Sequence, residues 1–246
     1  MTILVTRPSP QGEELVSRLR ALGRVAWSFP LIDFTPGREL NTLGQSLQAL
    51  NDGDFIFALS QHAVSFAHAQ LQQQRLRWPT SARYFAIGRT TALALHQVNG
   101  LDVRYPLDRE ISEVLLQLPE LQTIAGKKAL ILRGNGGREL LAETLTARGA
   151  DVTLCECYQR SPIHYDGAEE AMRWQSREVT TIVVTSGEML QQLLTLIPLW
   201  YRENWLLKCR LLVVSERIAK LAQEMGWQDI QVADSADNDA LLRALQ

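Results

Sequence analysis

Two stretches decide the architecture: LVTRPSPQGEELVSRLRALG from Leu4 to Gly23 and LILRGNGGRELLAETLTARG from Leu130 to Gly149. Leu4, Arg7, Glu13, Leu15, Leu19, Ala21 and Gly23 each find an identical residue 126 positions later, at Leu130, Arg133, Glu139, Leu141, Leu145, Ala147 and Gly149. The similarity runs on to about Phe34 in the first copy and Arg160 in the second. The same register sets FALSQHAV (Phe57–Val64) against VVTSGEML (Val183–Leu190), with Ser60 opposite Ser186. With one residue of slippage it sets AIGRTTALAL near Ala86 against VVSERIAKLA near Val213. A chain written twice implies two similar units. The period is too long for a solenoid, so two domains facing each other across a ligand-binding cleft are expected.

Within each copy, short β-rich runs alternate with helical ones. ILVT (Ile3–Thr6), VAWSFPLIDF (Val25–Phe34), FIFAL (Phe55–Leu59), YFAIG (Tyr84–Gly88), ALILR (Ala129–Arg133), TIVVT (Thr181–Thr185) and LLVVS (Leu211–Ser215) read as strands. Apolar residues at helical spacing follow most of them, Ser9-Pro10 reads as a helix start, and Gly23 as a helix stop. The fold class is therefore α/β, with doubly wound parallel sheets covered by helices on both faces. Pro30–Leu40 and its duplicate Cys157–Gly167 are the linker candidates. The repeat permits either contiguous pairing of the pieces or an exchange between the copies.

At 246 residues the chain can bury two cores of ordinary size. A net charge of −2, with no Lys/Arg cluster, argues against nucleic acid. No apolar run is long enough to span a bilayer, so no membrane partner is expected. The N-terminus lacks a signal-peptide core, and the odd count of three cysteines suits a reducing cytoplasm. Cys155-Glu156-Cys157 is C-x-C on a buried strand and reads as core.

In an open parallel sheet, ligands sit beyond the carboxyl ends of the strands, where helices begin. Those loops here hold Thr6 and Arg7; Ser60 and Gln61; Gly88-Arg89-Thr90-Thr91; Arg133 to Arg138; Thr185-Ser186-Gly187; and Ser215-Glu216-Arg217. They are small, hydroxylic or glycine-rich, with arginines interleaved. Helix N-termini of this kind accept anions, and a large anionic ligand is the natural partner. Each serine or threonine also reads singly as an ordinary helix cap. Arg7 has a duplicate in Arg133, which suggests a shared structural part. Arg138 aligns with Gly12, has no counterpart, and is the better candidate for ligand.

RGNGGRE follows a strand and opens a helix, as a nucleotide loop does, and Glu156 could imitate a ribose-binding acid. It matches neither phosphate-loop pattern, but it leaves a nucleotide-dependent oxidoreductase as one alternative. A two-lobed module that binds a small anion without turnover is another. The four histidines show no ligand spacing, so no metal and no cofactor are expected. Tyr158 breaks the symmetry: with one residue of slippage its counterpart in the first copy is Leu31, at a joint between units.

TRP after the first strand, AIG-x-x-T-A, RGNGGRE and CYQR together resemble the uroporphyrinogen-III synthase family, in an enterobacterial form and over essentially the whole chain. The resemblance implies two flavodoxin-like domains joined by a two-stranded linker, with copies exchanged: residues 1–34 with 162–246, and 36–160. It implies conversion of the linear tetrapyrrole hydroxymethylbilane to uroporphyrinogen III with inversion of ring D, without cofactor; a monomer is expected. It places the active tyrosine on Tyr158 and polar substrate contacts on Ser60, Thr91 and Ser186. The late loop reads SERIA where the family often has a threonine pair, so only Ser215 is carried over there.

Overall fold

A computed structural model describes all residues from Met1 to Gln246. The chain forms two compact units, Met1–Asp33 with Ser161–Gln246, and Phe34–Arg160. Eleven strands are present: β1 (Thr2–Val5), β2 (Val25–Ser28), β3 (Ile32–Pro36), β4 (Phe55–Ala58), β5 (Arg83–Ala86), β6 (Val103–Arg104), β7 (Lys128–Gly134), β8 (Asp151–Pro162), β9 (Thr181–Val183), β10 (Arg210–Val213) and β11 (Ile230–Val232).

The first unit holds a five-stranded parallel sheet in the order β11-β10-β9-β1-β2. In chain order this is second-first-third-fourth-fifth, the flavodoxin-like doubly wound arrangement. The strand order reverses between β1 and β9. The second unit holds the order β3-β8-β7-β4-β5-β6. Its parallel part repeats the pattern with β7 in the place of β1, and the reversal falls between β7 and β4. Each sheet therefore combines strands from both copies: β1 pairs with β9, and β4 with β7.

The central strands are apolar on both faces because helices cover both. Every residue of Phe55–Ala58 is buried, as are Ile3–Val5 and Ala129–Leu132. Phe55, Phe57 and Phe85 pack together on one face of the second sheet, and Phe57 and Phe85 stack with centroids 5.0 Å apart. On the opposite face, Cys155 and Cys157 join the cluster built around Leu43, Ala63 and Leu71. The hydrogen-bonded Cys155 neighbour, together with burial, pushes the Cys157 thiol far up, and burial pushes Cys209 up to about 12. These thiols stay protonated and serve as packing.

Three local expectations need correction. Val25–Phe34 is not one strand. It breaks at Phe29–Leu31 into β2 and β3, which belong to different sheets. Pro30 has no N–H to give a ladder, and the flanking Phe29 and Leu31 N–H groups go to the Val5 and Thr6 carbonyls. The second copy has no proline at that point, and β8 runs unbroken through twelve residues. Ser9 does not cap the first helix: that helix begins at Gln11, and the Ser9 hydroxyl is given to the Glu13 carboxylate instead. RGNGGRE opens its helix late, at Leu140, so the glycines form a loop ahead of the helix rather than its first turn.

Candidate functional site

The reversal of strand order between β4 and β7 leaves a crevice beyond their carboxyl ends, the usual ligand position in such sheets. Ser60 follows β4, and the Gly134–Arg138 loop follows β7. β8 reaches the same place because its pairing with β7 slips by one residue. Arg133 faces Glu156, but Gly134 faces Tyr158. This bulge re-aims the strand and lays the Tyr158 ring over Gly134. A Cβ at Gly134 would come within 2.6 Å of the ring's Cζ and 2.9 Å of its hydroxyl. Only glycine lets the phenol lie there.

The ring is held on its other sides by Phe66, stacked at 6.0 Å, and Phe34, edge-on at 5.8 Å. His62, itself stacked on Phe34 at 3.9 Å, stands 5.6 Å from the ring. Burial, reinforced by the charge of Arg160, holds His62 below the ordinary histidine range, so it is neutral at neutral pH. The Ser60 hydroxyl accepts the Ala63 N–H at 3.2 Å and donates to the Tyr158 oxygen at 3.0 Å. A phenol whose oxygen accepts from Ser60 keeps its own proton to donate elsewhere.

Tyr158, Ser60, Gly134 and Arg138 line one cavity of about 200 Å³, together with Ser112, Arg133 and the apolar Leu59 and Ile87. That is smaller than a pocket for a whole drug-sized ligand, about 300 Å³ and up. It suits one ring or one substituent of something larger. Arg133 does not reach outward. Its guanidinium donates to the Gly134 and Gly136 carbonyls and pairs with Glu139 at 3.0 Å, which fixes the loop. Asn135 ties that loop to the backbone of Arg160. Glu156 accepts the Arg38 N–H at 2.8 Å. The groups a nucleotide would need are spent on the fold, and the oxidoreductase alternative loses its footing.

The structure thus brings Ser60, Arg138 and Tyr158 together. Gln61 is exposed beside Ser60, and Thr91 is buried in the first turn of the helix Arg89–Asn99, outside the cavity lining. In the other unit, Ser186 and Ser215 cap the helices that follow β9 and β10, accepting the Met189 and Ile218 N–H groups. Each keeps a hydroxyl hydrogen to give. Thr6 and Arg7 are spent on the fold. Thr6 is fully buried and donates to the Val183 carbonyl at 2.7 Å, so it stitches β1 to β9 and cannot meet a ligand. Arg7 is engaged by the Ala236 carbonyl and the Asn238 side chain, at 2.5 and 3.0 Å. Like its duplicate Arg133, it secures a strand-end loop. Sequence reasoning missed Gly134, Phe34 and His62 as parts of the tyrosine's setting. The signal for Gly134 lay in the glycine run directly after a strand.

Fold and site together define a duplicated two-unit α/β protein with a phenol set over the crevice of one sheet. Residues 13–243 match the family model described as uroporphyrinogen-III synthase. The chain is 76% identical over its full length, and theirs, to the uroporphyrinogen-III synthases of Salmonella typhimurium and of Escherichia coli K12. A crystal structure of a mutant uroporphyrinogen III synthase from Thermus thermophilus superposes with a TM-score of 0.64 at 19% identity, covering 100% of this chain and 99% of that one. At that identity the likeness speaks for the fold. The chain belongs to the uroporphyrinogen-III synthase family.

Proposed function

We propose that this chain performs its family's reaction through Tyr158. As a lyase of tetrapyrrole biosynthesis, leading to haem and sirohaem, it closes hydroxymethylbilane to uroporphyrinogen III with inversion of ring D. The terminal hydroxyl of ring A takes a proton from the Tyr158 phenol and leaves as water. The azafulvenium cation that remains is attacked by the substituted α-carbon of ring D, giving a spiro intermediate. That intermediate fragments at the neighbouring methylene bridge and recloses with the ring turned over. Loss of a proton restores the last pyrrole and repays the one Tyr158 gave, so the net change is one water released. Most of the enzyme's work is orientation, since the hindered carbon must attack in preference to the open one.

The observation that carries this reading is the Ser60–Tyr158 hydrogen bond, in which the phenol oxygen accepts and so keeps its own proton to donate. The substrate bears carboxylates on every ring. Arg138, Ser60, Gln61, Thr91, Ser186 and Ser215 are proposed to receive some of them. The working form is proposed to be a monomer in the cytoplasm, the compartment that three free cysteines suit; no helix is long and apolar enough to cross a membrane. The test is to incubate the purified chain with freshly made hydroxymethylbilane and separate the oxidised products. Isomer III in excess supports the reaction. Isomer I alone, the product of unassisted closure, or substrate binding without turnover would overturn it.

A further inference from the structure

The segment between β6 and the short helix Ser112–Leu115, together with the first turn of that helix, sets two carboxylates on either side of the cavity-lining Ser112, and both occupy positions suited to an anion. The first is Glu110. Ser60, Ser186 and Ser215 cap their helices with their own hydroxyls, but the helix Arg89–Asn99 starts at Gly88, which has no side chain to offer. Its N-terminus is filled from a distance: Glu110 accepts the Arg89 N–H at 3.0 Å. Gly88 makes room for this, since a Cβ there would lie 2.4 Å from the Glu110 carboxyl carbon. The second is Glu113, held by both terminal nitrogens of Arg138 in a two-pronged ion pair. That hydrogen-bonded pairing keeps the Glu113 carboxyl below its usual range. Ser112, between the two latches, lines the cavity. Leu107, at the turn of the segment, is 85% exposed.

We propose that residues 105–113 form a strap, latched by Glu110 on the Arg89 amide and by Glu113 on Arg138, and that it opens when substrate carboxylates replace the two glutamates. The inference rests on the functional reading above, which supplies a substrate rich in carboxylates. Both latches are exposed and charge-assisted, so they are easily exchanged for another carboxylate. A helix N-terminus and an arginine fork each gain from an anion, whichever molecule brings it. The strap therefore keeps these groups satisfied between turnovers and competes with substrate for them.

The test uses the full chain with Glu110→Gln, Glu113→Gln and the double variant. KM for hydroxymethylbilane is expected to fall roughly two- to fivefold in the double variant, the scale of an exposed ion pair, with kcat unchanged. Hydrogen exchange gives a second readout that needs no turnover. The amides of residues 105–113 should exchange faster in the variants than in the wild type. They should also exchange faster in the wild type on addition of uroporphyrin III, the stable oxidised form of the product. A KM that stays level or rises, with only a lower melting temperature, would make the glutamates plain structural caps. So would a strap that stays protected while uroporphyrin III binds. A wild type that forms no isomer III counts against the functional reading instead, and the strap is then decided by exchange in the variants alone.

Discussion

The Ser60 hydroxyl and the Tyr158 phenol are 3.0 Å apart, joining the end of β4 to the bulged end of β8. Ser60 is fixed from behind by the Ala63 N–H of the helix it caps. One hydroxyl thus serves the helix and orients the phenol. The ordinary capping role and the functional role are the same contact seen from two sides, which is why Ser60 reads as a cap in sequence and as a site residue in the fold.

Gly134 sets where the phenol lies. In Gly134→Ala the new methyl would overlap the Tyr158 ring, and the ring, being the mobile end of its side chain, would give way. The expected result is a large loss of isomer-III formation with a small change in melting temperature. Chromatography of oxidised products and a thermal melt read the two quantities. A variant with wild-type activity would show that the phenol need not rest against β7.

Arg7 and Arg138 should separate cleanly. Arg7 is partly buried and clamps the Ala236–Asn238 turn to the end of β1. Arg7→Ala is expected to lower the melting temperature, at a cost of about 0.5–2 kcal/mol of stability for part-buried and exposed hydrogen bonds, with little change in KM. Arg138 is exposed and bonded only to a carboxylate that can be exchanged. Arg138→Ala is expected to raise KM and leave the melt nearly unchanged. Inverted outcomes would refute both assignments.

The duplication, the α/β class and the strand-end loops were legible because they depend on local patterns: apolar runs, helical spacing and glycine stops. The pairing of β1 with β9 and of β4 with β7 was not, because two similar copies offer each strand two nearly equivalent neighbours. The split at Phe29–Leu31 was hidden by an apolar run that continues through Pro30, although the proline itself was the warning. At the site, Tyr158 stood out by breaking the symmetry with Leu31. Thr6 did not betray its burial, since a threonine after a strand looks alike whether it faces a ligand or the Val183 carbonyl. Glu110 and Glu113 were invisible as partners of Arg89 and Arg138, because contacts across a loop leave no periodic trace.

His62 gives a pH dependence. Its folded pKa lies below that of the unfolded chain, about 6.5, because burial and Arg160 disfavour the charged ring. Between the two values the unfolded state binds more protons, so stability falls as pH drops below about 6.5 and is fully present above it. His62→Phe keeps a flat ring against Phe34 and removes the titration. The wild type should lose more melting temperature between pH 8 and pH 5 than the variant does. Equal losses would mean that His62 titrates alike in both states.

Tyr158→Phe is the sharpest test of the mechanism. The substitution keeps the ring between Phe66 and Phe34 and removes only the hydroxyl that Ser60 contacts. The variant should fold normally, because the lost hydrogen bond is only partly buried. A positioned general acid is worth about 10²–10⁴-fold. The loss should lie near the lower end, since the hydroxyl of hydroxymethylbilane leaves readily and the substrate closes unaided to isomer I. That background makes the assay informative: the substrate is still consumed, but the product shifts from isomer III toward isomer I. Ser60→Ala should shift it in the same direction and by less, because the phenol remains but loses its orientation. If Tyr158→Phe keeps both the wild-type rate and the wild-type isomer ratio, the tyrosine is not the acid, and its contrast with Leu31 is drift between the two copies.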